Sequence, residues 1–160
     1  MGGAKHVAAA HGIEEYFSLP SSALEVSNLA DEVAGTTPLI LALRFWHVNL
    51  AAMLLTLGGI NLNARDVRGP DWTALMYAAD QGYDAVVRIL LTYDNIDINT
   101  TSATGNTPLI LAAKGGHESV VALLCKVQGI NVNSTNQAGK TALTLASRFG
   151  HVGIVKLLLD

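Results

Sequence analysis

The chain of 160 residues is 50% apolar and only 14% charged, with a net charge of −3. The usual charged share is about a quarter, and with no basic run the balance argues against nucleic acid as the main partner. One cysteine, Cys125, excludes an internal disulfide framework and any CxxC metal site.

The opening stretch, MGGAKHVAAAHG, lacks the apolar core of a signal peptide. No apolar run approaches the roughly 18 residues that span a bilayer. The expectation is a soluble, cytoplasmic protein with no membrane partner.

Taken in chain order, the sequence repeats itself. A faint copy, HVAAAHG (6–12), lies 34 residues before ILALRFW (40–46), and SLPSS (18–22) then breaks the helical pattern. Four segments follow that align without a gap. They read TTPLILALRFWHVNLAAMLLTLGGINLN (36–63), WTALMYAADQGYDAVVRILLTYDNIDIN (72–99), NTPLILAAKGGHESVVALLCKVQGINVN (106–133) and KTALTLASRFGHVGIVKLLLD (140–160). Thr37, Thr73, Thr107 and Thr141 are spaced by 36, 34 and 34 residues, the first interval being longer because GPDWT (69–73) carries two extra residues. The expected organisation is one domain over 1–160. It comprises a degenerate first copy (1–34), copies at 35–68, 69–104 and 105–138, and a truncated copy at 139–160.

Each copy has a physical reading. The Thr suits a helix N-cap, and Pro38 or Pro108 then suits the first helical position. About eight residues later Gly82, Gly116 or Gly150 signals a helix end. A second helix carries apolar residues at helical spacing, such as Val86, Val87, Ile89, Leu90 and Leu91. INLN, IDIN and INVN then alternate apolar and polar, as a segment entering a hairpin would. Two short helices and a hairpin cannot bury their apolar faces alone, so neighbouring copies must stack.

Repetition also disposes of an apparent nucleotide motif. Gly139-Lys140-Thr141 resembles the end of a phosphate-binding loop, but Ser134 stands where that motif needs glycine. The triplet is instead the third return of Gly-x-Thr-(Pro/Ala)-Leu, after Gly35-Thr36-Thr37 and Gly105-Asn106-Thr107.

The pattern D-x-x-G-x-T-P-L-x-x-A-A-x-x-G-H, followed by V-V-x-x-L-L and a V-N ending, resembles the ankyrin repeat, and TGNTPLILAAKGGHESVVALLCKVQGINVN (104–133) is a close match. The resemblance covers nearly the whole chain and implies an all-α repeat solenoid, with paired antiparallel helices joined by short β-hairpin loops. There are departures. The family's His after Leu is replaced by Ile40, Met76, Ile110 and Thr144, and Trp46 stands where Gly is usual. A bulky residue at a φ > 0 position costs about 1–2 kcal/mol, so the turn at Trp46 is expected to adjust and bury the indole.

Catalysis has little support. No G-x-S-x-G, H-E-x-x-H or paired-carboxylate pattern occurs. His47, His117 and His151 follow the helix-ending positions and read as capping or surface residues rather than metal ligands. Cys125 aligns with Leu55, Leu91 and Leu159 and reads as a small, inert hydrophobe. No enzyme activity, cofactor or metal is expected. Asn99 and Asn133 open N-x-[ST] triplets but read as asparagines that hydrogen-bond the hairpin backbone.

What the resemblance implies is binding to a protein partner through hairpin tips and the concave inner-helix surface. Residue by residue, the tips offer Arg65, Val67, Arg68, Asp71, Trp72, Thr101, Thr104, Asn106, Gln137 and Lys140. The inner helices offer Arg44/Phe45, Asp80/Gln81, Lys114/Gly115 and Arg148/Phe149. RFWH (44–47) and RFGH (148–151) occupy equivalent places, and Arg and Trp are types that dominate interface energetics. Trp72, Arg68, Phe45 and Phe149 are the expected centre of the face.

The final helix, VGIVKLLLD, is apolar on much of its circumference, where a terminal repeat normally presents a polar side. Two expectations follow: the chain is a segment of a longer array, or its uncapped ends self-associate end to end, the first being preferred. The leading functional expectation is a non-enzymatic protein–protein interaction module. The alternative is the recognition or regulatory segment of a larger multidomain signalling protein or enzyme.

Overall fold

The computed structural model describes residues 36–57, 59–67 and 69–160. The first expected copy, 1–34, lies outside the described residues. Eight α-helices and no β-strand occur among those described. The chain divides into two compact units, Met1–Ala74 and Leu75–Asp160.

In the first unit α1 (Pro38–Arg44) packs on α2 (Val48–Thr56). The Thr37 hydroxyl accepts the Ile40 N–H at 3.3 Å and Pro38 occupies the first turn, so both local start signals act where the sequence places them. Leu39, Ile40, Leu43, Leu50, Leu54 and Leu55 are fully buried. Each such side chain contributes roughly 1.5–3 kcal/mol of burial free energy.

The second unit begins with α3 (Ala74–Gln81), whose first residue closes the preceding unit, and α4 (Asp84–Leu90). Then come α5 (Pro108–Gly115), α6 (Glu118–Cys125), α7 (Ala142–Arg148) and α8 (Val152–Leu159). The first helices of successive repeats pack together, α5 on α7. The second helices form their own row, α4 against α6 and α6 against α8, while α5 meets α6 and α7 meets α8. Thr107 caps α5 through the Ile110 N–H, and Thr141 forms a capping box with Thr144. The departures from the usual His put Ile40, Met76 and Ile110 into the core, whereas Thr144 stays at the surface.

The helix-to-helix turn is built the same way each time. In α5 the His117 N–H reaches the Ala112 carbonyl at 3.0 Å and Gly116 takes φ 79°; in α3 the corresponding bond is Tyr83 to Ala78 at 2.9 Å with Gly82 at φ 73°. This six-to-one bond with a left-handed residue before its donor is the Schellman closure.

The hairpin loops are tighter than the alternating I-N-x-N pattern suggests. They are turns, each closed by a backbone bond: Asp66 N–H to Trp72 O at 2.9 Å, Ser102 N–H to Asn106 O at 3.0 Å and Asn136 N–H to Lys140 O at 3.0 Å. Within I-N-x-N the first polar residue folds the backbone on itself. Asn61, Asp97 and Asn131 each accept, on a side-chain oxygen, the N–H two residues on. That interrupts any longer strand ladder.

Candidate interaction surface

Arg44 and Phe45 end α1, and Arg148 and Phe149 end α7. The two pairs take the same form. The guanidinium carbon of Arg44 lies 5.8 Å from the Phe45 ring centre, and that of Arg148 lies 5.9 Å from the Phe149 ring centre. Both distances are within cation–π range. Phe45 is 44% exposed and Phe149 50% exposed, so neither ring serves a core. Phe149 also lies 6.3 Å, centre to centre, from the His151 ring.

The surroundings of the two arginines differ. Arg44 Nη1 pairs at 3.2 Å with Oδ2 of Asp66, a carboxylate with no exposure, whose Oδ1 accepts the Thr36 hydroxyl at 3.0 Å. Arg148 is exposed and has no carboxylate partner among the described residues. Asp66 sits at the start of the lengthened hairpin. Ser102 and Asn136 occupy the equivalent place in shorter loops and turn their side-chain oxygens onto their own loop amides, those of Thr104 and Asn106 and of Ala138 and Lys140. In the lengthened loop the Asp66 carboxylate lies against Gly69, where a Cβ would overlap it, and also reaches Thr36 and Arg44.

Trp46 corrects the sequence expectation. The turn does not adjust to bury it: Trp46 keeps φ 64° and is 69% exposed. The reason is the Schellman closure, which His47 completes by donating to Ala42 O at 2.8 Å whatever residue stands before it. Sequence reasoning therefore missed the largest exposed apolar side chain beside Phe45.

The hairpin of the first unit holds Arg65 and Asp71 in a two-bond ion pair, Nε–Oδ1 at 3.0 Å and Nη2–Oδ2 at 2.7 Å. The Arg65 hydrogen bonds pull the Asp71 carboxyl below its ordinary range, burial opposing and the Arg65 charge assisting. Asp71 adopts φ 59°, a left-handed conformation that aspartate tolerates better than most residues. Trp72 is half-buried and Val67 is exposed. Arg68 lies outside the described residues.

In the second unit several expected contact residues are engaged with neighbouring loops. Asn106 donates to Thr104 Oγ1 at 3.0 Å and accepts from Asn136 Nδ2 at 2.9 Å. Gln137 donates to the Ala103 carbonyl at 2.8 Å through its side chain and to the Thr104 carbonyl through its backbone. Asn99 bridges to the next repeat, with Nδ2 on Gly129 O at 2.8 Å and Oδ1 on the Asn131 N–H at 2.9 Å. Lys114 and Lys140 are exposed. Gln81 donates to Asp80 Oδ2 at 2.9 Å.

The histidines lace repeats together. His117 Nε2 lies 2.7 Å from the Asp80 carbonyl and His151 Nε2 lies 3.2 Å from the Lys114 carbonyl. A carbonyl only accepts, so both rings carry the proton on Nε2. Glycines make room for this: a Cβ on Gly116 would come within 2.7 Å of the His151 ring, and one on Gly82 would overlap His117. None of His47, His117 and His151 caps its helix through the side chain. Cys125 is half-buried, and burial pushes its thiol pKa up, away from the reactive thiolate.

The Gly139-Lys140-Thr141 triplet has its amides already committed. Gly139 N–H donates to Asn136 O, Lys140 N–H to Asn136 Oδ1 and Thr141 N–H to Thr144 Oγ1. A phosphate loop needs such amides unpaired toward the ligand. No group of three His, Cys, Asp or Glu side chains comes together among the described residues, and no described helix is long and apolar enough to cross a membrane.

Comparison with known proteins agrees with this geometry. Over 110 residues, 66% of this chain, the sequence is 30% identical to an ankyrin repeat domain-containing protein, SAT10, of Stachybotrys chartarum. The chain spans about 6% of that protein's length. The family model for ankyrin repeats, in three copies, matches residues 5–102 and 95–160, and with the paired helices, Schellman turns and closed loops this places the chain in the ankyrin-repeat family.

Proposed function

We propose that the chain is a non-enzymatic protein–protein interaction module, binding its partner through the inner-helix surface and the hairpin tips. Ankyrin repeats generally mediate protein–protein interaction and are typically non-catalytic. The observation that carries the finer reading is the repeated Arg–Phe pair, with both rings about half exposed and each under a guanidinium. Exposed aromatic rings held by a neighbouring arginine lose little conformational freedom on binding, which suits them as anchors. Trp46 joins Phe45 in this role. Trp72, being half-buried, divides its surface between its own hairpin and a partner. Asn106 and Gln137 act more through the shape of the loops than through direct contact.

The test is affinity capture from the native host's lysate with wild type and a Trp72→Ala/Phe149→Ala variant that melts normally. Retention by wild type and loss by the variant is the expected result. Equal loss of folding and binding, or equal retention, contradicts the assignment of the face.

A second reading makes the chain a recognition or regulatory segment of a larger protein. Its support is the length of SAT10, of which the matched chain is about 6%.

A further inference from the structure

Within the second unit one row of the surface has a definite chemistry. The ends of α3, α5 and α7 present Asp80–Gln81, Lys114–Gly115 and Arg148–Phe149 at equivalent positions. The histidine bridges fix their order: His117 ties α6 to the Asp80 carbonyl, and His151 ties α8 to the Lys114 carbonyl. Gly115 is exposed and lacks a side chain where its equivalents carry Gln81 and Phe149. A Cβ there would meet the His117 ring at 2.6 Å, so the floor at Gly115 is formed by its backbone and the His117 ring and carries no larger side chain.

Along the row Asp80 gives way to Lys114 and Arg148, and the chain as a whole shifts in the same sense. Residues 98–160 hold five lysines and arginines and two carboxylates, Glu118 and Asp160, whereas residues 75–97 hold four aspartates and one arginine. Lys114 and Arg148 are exposed and neither meets a carboxylate among the described residues, while both ion pairs found there lie in the first unit.

Resting on the interaction-module reading, we propose that this row binds an acidic, extended segment of a partner protein. Two of its carboxylates pair with Lys114 and Arg148, and an apolar side chain lies on the Gly115 floor against the Phe149 ring. Packed helices hold equivalent residues about 10 Å apart, and an extended chain advances about 3.3 Å per residue. The two carboxylates are therefore about three residues apart. Asp80 repels a third acid in the same direction, so it limits the acidic stretch and sets its polarity.

The experiment pans a phage library of random twelve-residue peptides against the full chain and measures the enriched peptide by fluorescence anisotropy. The expected outcome is enrichment of Asp and Glu three residues apart beside an apolar residue. Affinity should fall at least tenfold in Lys114→Glu/Arg148→Glu and in the milder Lys114→Gln/Arg148→Gln. It should stay within twofold in Lys126→Glu/Lys156→Glu, which has the same net charge as the first variant. Neutral or basic enriched peptides, equal loss in both charge-reversal variants, or no enrichment overturns the proposal. If neutral peptides are enriched and still require Phe149, the interaction-module reading stands and only the acidic partner fails. If acidic peptides bind through Lys114 and Arg148 while the lysate capture fails, the acidic partner stands and only the assignment of Trp72 and Phe149 as the binding face fails.

Discussion

RFWH at 44–47 and RFGH at 148–151 share three residue types and nearly the same backbone, yet they sit in different physical situations. Phe45 and Phe149 take φ −100° and −93°, and Trp46 and Gly150 take φ 64° and 75°. The closure bonds, His47 to Ala42 and His151 to Ala146, measure 2.8 and 2.9 Å. Closing one helix onto the next therefore dictates the turn, and the residue at its left-handed position conforms. What changes is the electrostatic setting. Arg44 is bound to a buried carboxylate, so its charge is largely spent on the fold, whereas that of Arg148 remains available.

The largest effect that would break this contrast lies at Asp66. Asp66→Ala removes an acceptor from both the Thr36 hydroxyl and the Arg44 guanidinium, and it should destabilise by about 2–4 kcal/mol. Arg148→Ala, which breaks no ion pair, should stay within about 0.5 kcal/mol. Urea unfolding measures both, and comparable losses would remove the distinction between the two arginines.

Next come the left-handed positions. Gly116→Ala combines backbone strain with displacement of the His151 ring and should cost about 2–3 kcal/mol. At Gly150 a Cβ meets no other atom, so Gly150→Ala should cost only the backbone term, about 1 kcal/mol. Trp46→Gly should move the other way, stabilising by up to about 1 kcal/mol. A destabilised Trp46→Gly would mean that the exposed indole contributes to the fold.

A smaller effect concerns the lengthened hairpin. Because Asp71 has its folded pKa lowered by Arg65, its contribution is fully present above the unfolded value, about 3.9, and is lost as pH falls through the folded value. The pair is about one-third exposed, so the contribution is below about 1 kcal/mol. Arg65→Ala should remove this part of the acid dependence, which lies below about pH 4. An unchanged acid limb in that variant would assign it to other carboxylates.

Much of this was legible in the sequence because the signals are local. Thr37, Thr107 and Thr141 cap, Pro38 and Pro108 start helices, and Gly82, Gly116 and Gly150 end them, as each residue's own conformational preference requires. What escaped depends on residues far apart in the chain. Asp66 acquires its role from Thr36, 30 residues away, and Asn106 is occupied by Asn136 at the same separation. The indole of Trp46 was expected to be buried by weighing its side chain against the turn, whereas the geometry of the turn prevailed. The aromatic half of the candidate surface could be anticipated from recurrence, while the difference between Arg44 and Arg148 could not, since both read simply as Arg before Phe.

The central claim is that the exposed aromatic rings bind and do not fold the chain. It is tested most directly by measuring the Kd of the captured partner for wild type and for Phe45→Ala/Trp46→Ala/Phe149→Ala, alongside their Tm values. The account predicts at least a tenfold weaker Kd with Tm unchanged within a few degrees. An unchanged Kd, or a Kd and Tm that fall together, would contradict it.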